Sequence, residues 1–159
     1  MYQFQDLAIH LPEHRCWVLL TPTVQTVLHQ YRQLEPSDHE AGGILLGYRR
    51  GDIDLELTLA TEPTPKDKRG MFSFFRSTWH HQDVARQQWM KSGGTVDYLG
   101  DWHTHPENHP TPSSTDRREW SRLRSSSPRP LIFIIVGKAD MYLEGPDRKG
   151  YRFLLANPT

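Results

Sequence analysis

The 159-residue chain lacks the features that mark several classes of protein. It has one cysteine, Cys16, so a disulfide framework and a thiolate zinc site are both excluded. Its longest apolar runs, residues 44–46 and 131–136, are far shorter than the roughly 18 residues that a membrane-spanning helix needs. The first six residues do not resemble a signal peptide. We therefore expect no membrane partner and a cytoplasmic location.

An excess of charge of either sign is also missing. Nineteen Lys and Arg residues balance nineteen Asp and Glu residues, which gives a formal net charge of zero. A protein whose main task is to bind a polyanion normally carries an excess of basic residues. The composition therefore disfavours nucleic acid as a partner.

Internal repeats and low-complexity segments are absent from the sequence, and its stretches rich in proline or glycine are short. A chain of this length can bury a core without disulfides or a structural metal. We therefore predict one domain over residues 1–159.

Hydrophobic periodicity predicts a sheet accompanied by about three helices. Helices are predicted over residues 22–34, over 78–91 and from Ser113 onwards. Strands are predicted at 42–48, 54–60, 72–75, 95–103, 131–136, 139–143 and 151–155. The polar segment 61–70 is predicted to be a mobile loop. This alternation is typical of an α/β or α+β fold, in which helices sandwich one mixed sheet.

Two histidines at the end of a predicted strand form the sharpest local motif. His103 and His105 are two positions apart, so their side chains point to the same side of the strand. Asp116 follows after ten intervening residues, in the first turn of the next predicted helix. Two imidazoles and one carboxylate, with one position left for water, are the composition of a catalytic zinc site.

Each part of this motif also has a simpler explanation. Ser113 and Asp116 fit a capping box, and an isolated histidine is more often a surface or satisfied core residue than a ligand. The conjunction of all the parts favours the metal site. His109 is a competing ligand, but it lies in a proline-rich loop, and we rank it lower. The remaining histidines are interpreted as surface or core residues: His10, His14, His29, His39, His80 and His81.

Glu40 is the candidate for the general base that a hydrolytic zinc site needs in addition to its ligands. It lies just before a predicted buried strand, where its carboxylate could reach a water on the metal. The alternative is a capping box formed by Ser37 and Glu40. Gly42 and Gly43 follow directly, however, and glycines continue a helix poorly.

The combined pattern resembles the JAB1/MPN/Mov34 metalloproteases, the JAMM or MPN+ group. That family has a glutamate, then a distant His-Ser/Thr-His-Pro, and then Ser-x-x-Asp, with seven residues between the second histidine and the serine. Here residues 106–112 supply the same interval of seven. The Glu-x-Gly-Gly-x-Leu-x-Gly context that starts at Glu40 also resembles the family, and so does the last apolar strand.

The resemblance implies a role for each residue of the motif. His103, His105 and Asp116 would bind one Zn²⁺ per chain. Glu40 would act as general base and then as general acid, and Ser113 would hydrogen-bond the developing oxyanion. Inactive members of this fold lack the ligands or the glutamate, whereas this chain has all of them. The resemblance therefore implies a working enzyme.

Members of the family hydrolyse amide bonds at the C-terminus of ubiquitin or ubiquitin-like proteins. The form Gly-Asp-Trp-His-Thr-His-Pro, residues 100–106, resembles the short bacterial deconjugases of CBASS anti-phage defence islands. Those deconjugases accompany E1/E2-like enzymes, and the conjugated protein is a CD-NTase, a synthase of cyclic oligonucleotides. The resemblance thus implies a zinc-dependent isopeptidase that reverses this conjugation.

Three alternatives remain open. The chain could process the tails of sulfur-carrier proteins, or it could be a non-catalytic MPN-type interaction module. The third alternative is a metal-dependent nuclease or small-molecule hydrolase. The neutral charge balance makes nucleic acid a weak candidate for its substrate.

Further expectations concern residues outside the motif. Residues 61–76 are a candidate flap over an extended substrate tail, with a solvated loop as the alternative. Cys16 is expected to be a buried small hydrophobe rather than a nucleophile. Four tryptophans are expected to pack in the core: Trp79, Trp89, Trp102 and Trp120.

Overall fold

The computed structural model describes residues 3–13, 15–65, 67–70, 74–75 and 78–154. In chain order its elements are β1 (Leu7–Leu11), β2 (Cys16–Leu20), α1 (Pro22–Gln30), β3 (Gly42–Arg50), β4 (Asp54–Ala60), β5 (Lys68–Arg69), β6 (Phe74–Phe75), α2 (Thr78–Lys91), β7 (Asp97–Thr104), α3 (Ser114–Ser125), β8 (Ile132–Val136), β9 (Asp140–Glu144) and β10 (Gly150–Leu154). No helix among these residues is long and apolar enough to cross a membrane.

Eight strands form one mixed sheet in the order β1-β2-β4-β3-β7-β8-β9-β10. The pairs β2·β4 and β7·β8 are parallel, and the other pairs are antiparallel. The short strands β5 and β6 pair separately. The mixed sheet and its three helices confirm the predicted α/β class.

Helices cover both faces of this sheet. Ile134 of β8 packs in the cluster that contains Leu28 of α1, whereas the neighbouring Phe133 packs with Trp120 of α3. The rings of Phe133 and Trp120 are stacked with centroids 4.8 Å apart. A third cluster, beneath α2, shares Tyr98 with the α3 cluster, so α2 and α3 lie on the same face.

The β1–β2 hairpin is an element that the sequence pattern does not predict. Its strands are only five residues long, which is short for a reliable alternation signal. Cys16 is buried there, as predicted, and its thiol donates to the carbonyl oxygen of Ile53 at 2.9 Å. Burial raises the pKa of Cys16 to about 11, so the residue is a poor nucleophile at neutral pH.

Helix α1 ends earlier than the predicted residue 34. Thr21 is its N-cap, as the sequence indicates, but the helix stops at Gln30. Gln33 turns into the interior, where it is 1% exposed and donates to the carbonyl oxygen of Asp38 at 3.2 Å. Leu34 is instead exposed, so its helical spacing from the preceding apolar residues is misleading.

A bulge in β7 at Gly100 changes which residues face each side of the sheet. The pairing of β3 with β7 shifts here, and Leu99 has no partner in that register. Gly100 has φ 151, and an added Cβ would lie 1.6 Å from the carbonyl oxygen of Ile132. Only glycine can therefore occupy this position.

The bulge directs the end of β7 towards the face that α3 covers. Leu99 and Trp102 belong to the core cluster beneath α1. Tyr98 and Asp101 lie on the opposite side of the strand, where the Tyr98 hydroxyl donates to the Asp101 carboxylate. His103 is two residues beyond Asp101 and shares this side of the strand.

The outcome for the tryptophans and for segment 61–70 is mixed. Trp102 and Trp120 are buried as predicted, but Trp89 is 44% exposed, so its assignment to the core is wrong. Trp89 lies in the last turn of α2, and its ring packs near Gly94 in the turn that follows the helix. The predicted loop 61–70 contains β5, because Lys68–Arg69 pair with β6. Phe72 and the side chain of Trp79 lie outside the described residues.

Candidate active site

The end of β7 brings the two predicted histidines together. His103 and His105 are mostly buried, and their Nε2 atoms lie 3.0 Å apart. The loop after β7 then leads to α3, whose first turn carries Asp116. The Asp116 carboxylate places Oδ1 3.2 Å from His103 Nε2 and Oδ2 3.2 Å from His105 Nε2. The structure therefore brings all three predicted side chains into one cluster.

The spacing of these atoms fits a small divalent cation. Zinc sites with ligand distances of about 2.0–2.1 Å and tetrahedral geometry separate their ligand atoms by roughly 3.3 Å. Here the two Nε2 atoms are 3.0 Å apart, each lies 3.2 Å from a different oxygen of Asp116, and one ligand atom from each residue can be chosen with all three within 4.8 Å of one another. Among the described residues, this is the one group of three or more His, Cys, Asp or Glu side chains close enough to share a metal ion.

The capping box that was the simpler explanation for Ser113 and Asp116 is also present. Ser113 is the N-cap of α3, and its main-chain N–H donates to Asp116 Oδ2 at 2.8 Å. In return, the N–H of Asp116 donates to Ser113 Oγ at 3.0 Å. The two explanations are therefore compatible, because one carboxylate closes the helix turn and also faces both imidazoles.

Hydrogen bonds within the cluster keep its carboxylate ionised. Burial favours the neutral form of Asp116, but hydrogen bonds from His103 and His105 outweigh it and hold the pKa of Asp116 well below its usual range. Burial likewise favours neutral His105, yet the hydrogen bond to Asp116 raises the pKa of His105 above its ordinary value. The Asp116 carboxylate is thus negatively charged at the place where a cation would bind.

Glu40 lies beside this cluster, in the segment that leads into β3. Glu40 is buried, with 6% of the residue exposed. No helix begins at this position, so the alternative interpretation of Ser37 and Glu40 as a capping box is wrong. The main-chain N–H of Glu40 donates to the carbonyl oxygen of Gly70 at 2.6 Å, and its carbonyl oxygen accepts from Arg69 Nε at 3.0 Å. Both of its main-chain groups are therefore held by the segment around β5.

The environment of Glu40 favours its protonated form. Burial raises the pKa of Glu40 to about 7; His105 lowers it, and the carboxylates of Asp116 and Glu107 raise it further. The charges of His105 and Asp116 therefore act on the pKa of Glu40. A carboxyl group with a pKa near 7 can both accept and return a proton at neutral pH.

Thr104, between the two histidines, links the cluster to Glu40. Its N–H donates to the carbonyl oxygen of Ala41 at 2.9 Å, and the N–H of Ala41 donates to its hydroxyl oxygen at 2.9 Å. The same hydroxyl donates to Gln33 Oε1 at 2.8 Å. Sequence reasoning missed both Thr104 and Gln33; a hydroxyl residue between two candidate ligands is the one signal that points to them.

The other histidines have different partners. His81 is fully buried, with Nε2 3.1 Å from Asp67 Oδ2 and Nδ1 2.7 Å from Thr61 Oγ1, and is a satisfied core residue as interpreted. His109 lies 2.8 Å from Asp140 through Nδ1 and is not part of the cluster.

Burial of Glu40 gives a prediction about stability in the absence of metal. The pKa of Glu40 is about 7 in the folded chain, whereas its ordinary value is 4.5. The stability that protonated Glu40 gives the folded chain below pH 4.5 is therefore lost as the pH rises through 7. At pH 8, with a chelator present, Glu40→Gln is expected to raise the free energy of unfolding by roughly 2–3 kcal/mol. Urea unfolding measures this, and the gain should fall to about 1 kcal/mol or less at pH 5. Equal stability of the two proteins at pH 8 would contradict it.

Two imidazoles and a carboxylate at metal-ligand spacing, next to a buried glutamate, are the set of residues that a metal-dependent hydrolase uses. The chain belongs to the family described as prokaryotic homologs of the JAB domain, whose model matches residues 22–152. The matched range includes every residue of the predicted site.

Curated relatives and a solved structure are similar to this chain. A CD-NTase/cGAS isopeptidase of Pseudomonas aeruginosa is 44% identical over 124 residues, which cover 77% of each chain. A CD-NTase/cGAS isopeptidase of Vibrio cholerae serotype O1 is 39% identical over 137 residues, or 86% of each chain. A solution structure of a Desulfitobacterium hafniense protein has a TM-score of 0.54 at 24% identity, covering 85% of this chain and 88% of the other. That structure shares the fold.

Proposed function

We propose that this chain is a zinc-dependent isopeptidase that releases a CD-NTase from the target amine to which its C-terminus is joined. The cluster of His103, His105 and Asp116 beside the buried Glu40 is the observation that carries the proposal. The descriptions of the relatives as CD-NTase/cGAS isopeptidases support this substrate class. The reaction would take place in the cytoplasm and reverse conjugation by E1/E2-like enzymes, as part of anti-phage defence.

His103, His105 and Asp116 would hold one Zn²⁺ per chain. When bound, zinc supplies Lewis acidity and lowers the pKa of a coordinated water to about 7. The donor set of two imidazole nitrogens and a carboxylate oxygen suits this ion and leaves room for a fourth ligand.

Glu40 would move the protons of the reaction. As its carboxylate takes a proton from water, the water oxygen bonds to the carbonyl carbon of the substrate. The C–N bond then breaks, and Glu40 passes the proton to the departing lysine amine. The products are a CD-NTase with a free C-terminal carboxylate and a lysine ammonium, which also takes the proton that the new carboxyl group releases. A pKa of Glu40 raised by burial to about 7 suits both transfers.

Ser113 would donate a hydrogen bond to the oxygen that becomes negative during this step. Its Oγ accepts the N–H of Asp116 through a lone pair, so the hydroxyl proton remains able to donate. Ser113 lies at the exposed start of α3, where a substrate can approach it.

Ser113→Ala is expected to lower kcat about 100-fold, because one donor to the oxyanion is lost. The change also removes a helix cap, which should cost about 1 kcal/mol of unfolding free energy. Thr21→Ala is the control, since the Thr21 hydroxyl also caps a helix, by accepting from the N–H of Val24, but is not part of the site. Its stability should fall by a similar amount without loss of kcat. Equal kcat values for the two variants would contradict the proposed role of Ser113.

The segment of residues 61–76 would act as a flap over the substrate tail. The described part of this segment includes β5 and β6, and Arg69 and Gly70 contact the main chain of Glu40. An extended tail can bind by adding main-chain hydrogen bonds to such a strand. Residues 66, 71–73 and 76–77 lie outside the described residues.

A direct assay separates this function from its alternatives. Zinc-loaded protein is incubated with a CD-NTase joined through its C-terminus to a lysine side chain, with the same protein fused linearly to a peptide, and with a sulfur-carrier protein that has an extended tail. Mass spectrometry then identifies the products. Release from the lysine is the expected result. Cleavage of the sulfur-carrier tail alone would favour tail processing, and no cleavage of any substrate would favour an interaction module.

A further inference from the structure

Glu107 contacts the cluster of His103, His105 and Asp116 but has no part in the mechanism above. It lies two residues after His105, and its Oε1 is 2.8 Å from Nδ1 of that imidazole. The opposite nitrogen of the ring, Nε2, points into the cluster towards His103 and Asp116. His105 is therefore held between two carboxylates, one at each nitrogen.

We propose that Glu107 is a positioning residue that fixes the tautomer and the orientation of His105, so that Nε2 faces the metal. An ionised carboxylate only accepts hydrogen bonds, so Nδ1 of His105 must carry the proton. With a proton fixed at Nδ1, Nε2 can give its lone pair to a bound cation in place of its hydrogen bond to Asp116. Metal-binding histidines commonly donate their second N–H to a carboxylate in this way. The inference rests on the proposed metal site and adds to it a residue outside the Glu, His-x-His-Pro and Ser-x-x-Asp pattern.

The main chain around Glu107 is fixed, although its side chain is half-exposed. The N–H of Lys138 donates to the carbonyl oxygen of Glu107 at 2.8 Å. The carbonyl oxygen of the next residue, Asn108, accepts from the N–H groups of Ala139 and Asp140 at 3.1 and 3.2 Å. The loop that follows His105 is thus bound to the turn between β8 and β9.

Close packing at Gly137 shows how tightly this loop is seated. A Cβ added to Gly137 would lie 2.4 Å from Pro110 Cδ and 2.8 Å from the carbonyl oxygen of Glu107. Neither contact leaves room for a side chain at Gly137, so the main chain of the turn packs directly against the Pro110 ring and the carbonyl group of Glu107. The Glu107 carboxylate therefore starts from a rigid backbone, which reduces the entropy lost when it holds the imidazole.

The test is zinc affinity, measured on the metal-free protein by competition with a chromogenic chelator at pH 7.5. Glu107→Ala is expected to raise the Kd for zinc 10- to 100-fold, roughly the effect of removing such an outer carboxylate elsewhere. Glu107→Gln keeps a hydrogen-bond acceptor without the charge and should show a smaller loss. The side chain is 49% exposed, so neither change should unfold the protein.

Glu119→Gln is the matched control. Glu119 lies three residues after Asp116 on α3 and has a side chain 48% exposed, but it pairs with Arg122 instead of a histidine. Removing its charge tests the general electrostatic effect on a nearby cation. Its Kd for zinc should change less than about threefold. An unchanged Kd in Glu107→Ala, or an equal loss in Glu119→Gln, would overturn the inference.

His105→Ala separates failure of this inference from failure of the proposed function. If His105→Ala loses zinc while Glu107→Ala binds it normally, only the positioning role of Glu107 is wrong. If His105→Ala itself binds zinc with the wild-type Kd, the metal site and the function built on it are wrong. Neither outcome depends on knowing the substrate.

Discussion

Glu40→Gln protein is expected to keep one Zn²⁺ per chain and to lose isopeptidase activity by about 1,000-fold. The amide of glutamine occupies the same space as the carboxylate but cannot accept a proton from water, and general bases typically contribute about 100- to 10,000-fold in rate. Glu40 is proposed as a base and not as a ligand, so metal binding should survive. Metal analysis and single-turnover cleavage of the lysine-linked CD-NTase measure the two quantities.

The pH dependence of the wild-type enzyme provides a second view of the same residue. Glu40 must be ionised to act as base, and burial raises its pKa to about 7. The rate should therefore increase as the pH rises through about 7, and it should become constant at higher pH. Glu35→Gln, an exposed change five residues away in the sequence, should leave the rate unaltered.

Loss of zinc together with activity in Glu40→Gln would show that Glu40 is a ligand instead.

His103→Ala and Asp116→Ala are each expected to lower the zinc content from one ion per chain towards zero. Each change removes one of three ligands, and in Asp116→Ala the remaining imidazoles also lose the charge that faces them. Activity should fall with the metal content. Atomic emission after dialysis against a weak chelator measures the zinc.

His109→Ala is the control for these two variants. His109 was the competing ligand in the sequence, but in the structure it is exposed and pairs with Asp140. Its removal should leave one zinc ion per chain. Zinc loss in His109→Ala equal to that in His103→Ala would mean that the ligand set is wrongly assigned.

The arrangement of the candidate site was largely accessible from the sequence, because its geometry follows from short-range rules. The period of two along a strand places His103 and His105 side by side. A capping box places Asp116 in the first turn of α3, one helical turn from the end of the loop. Glu40 could be proposed because its carboxylate comes just before a predicted buried strand, where it could reach a water on the metal.

The features that the sequence did not reveal depend on tertiary contacts. At the bulge the main chain of Ile132 leaves no room for a side chain on Gly100, and no local sequence pattern records this contact. Main-chain hydrogen bonds between the turn after β8 and residues 107–108 hold the loop in which Glu107 contacts His105. Trp89 has the spacing of a core residue, but the structure leaves it 44% exposed at the end of α2. The single-domain organisation over residues 1–159 stays a prediction.

The double use of Asp116 has a consequence for how long the protein lasts in a cell. A cation bound to the folded chain but not to the unfolded one adds about 4 kcal/mol of stability when its free concentration is 1,000 times the Kd. In this protein the cation would bind Asp116, and the same carboxylate accepts from the N–H of Ser113 in the first turn of α3. Metal binding would therefore stabilise the start of this helix. Proteases attack chains at segments that fray. We therefore expect the abundance of this enzyme, and not only its rate, to follow the zinc supply of the cell.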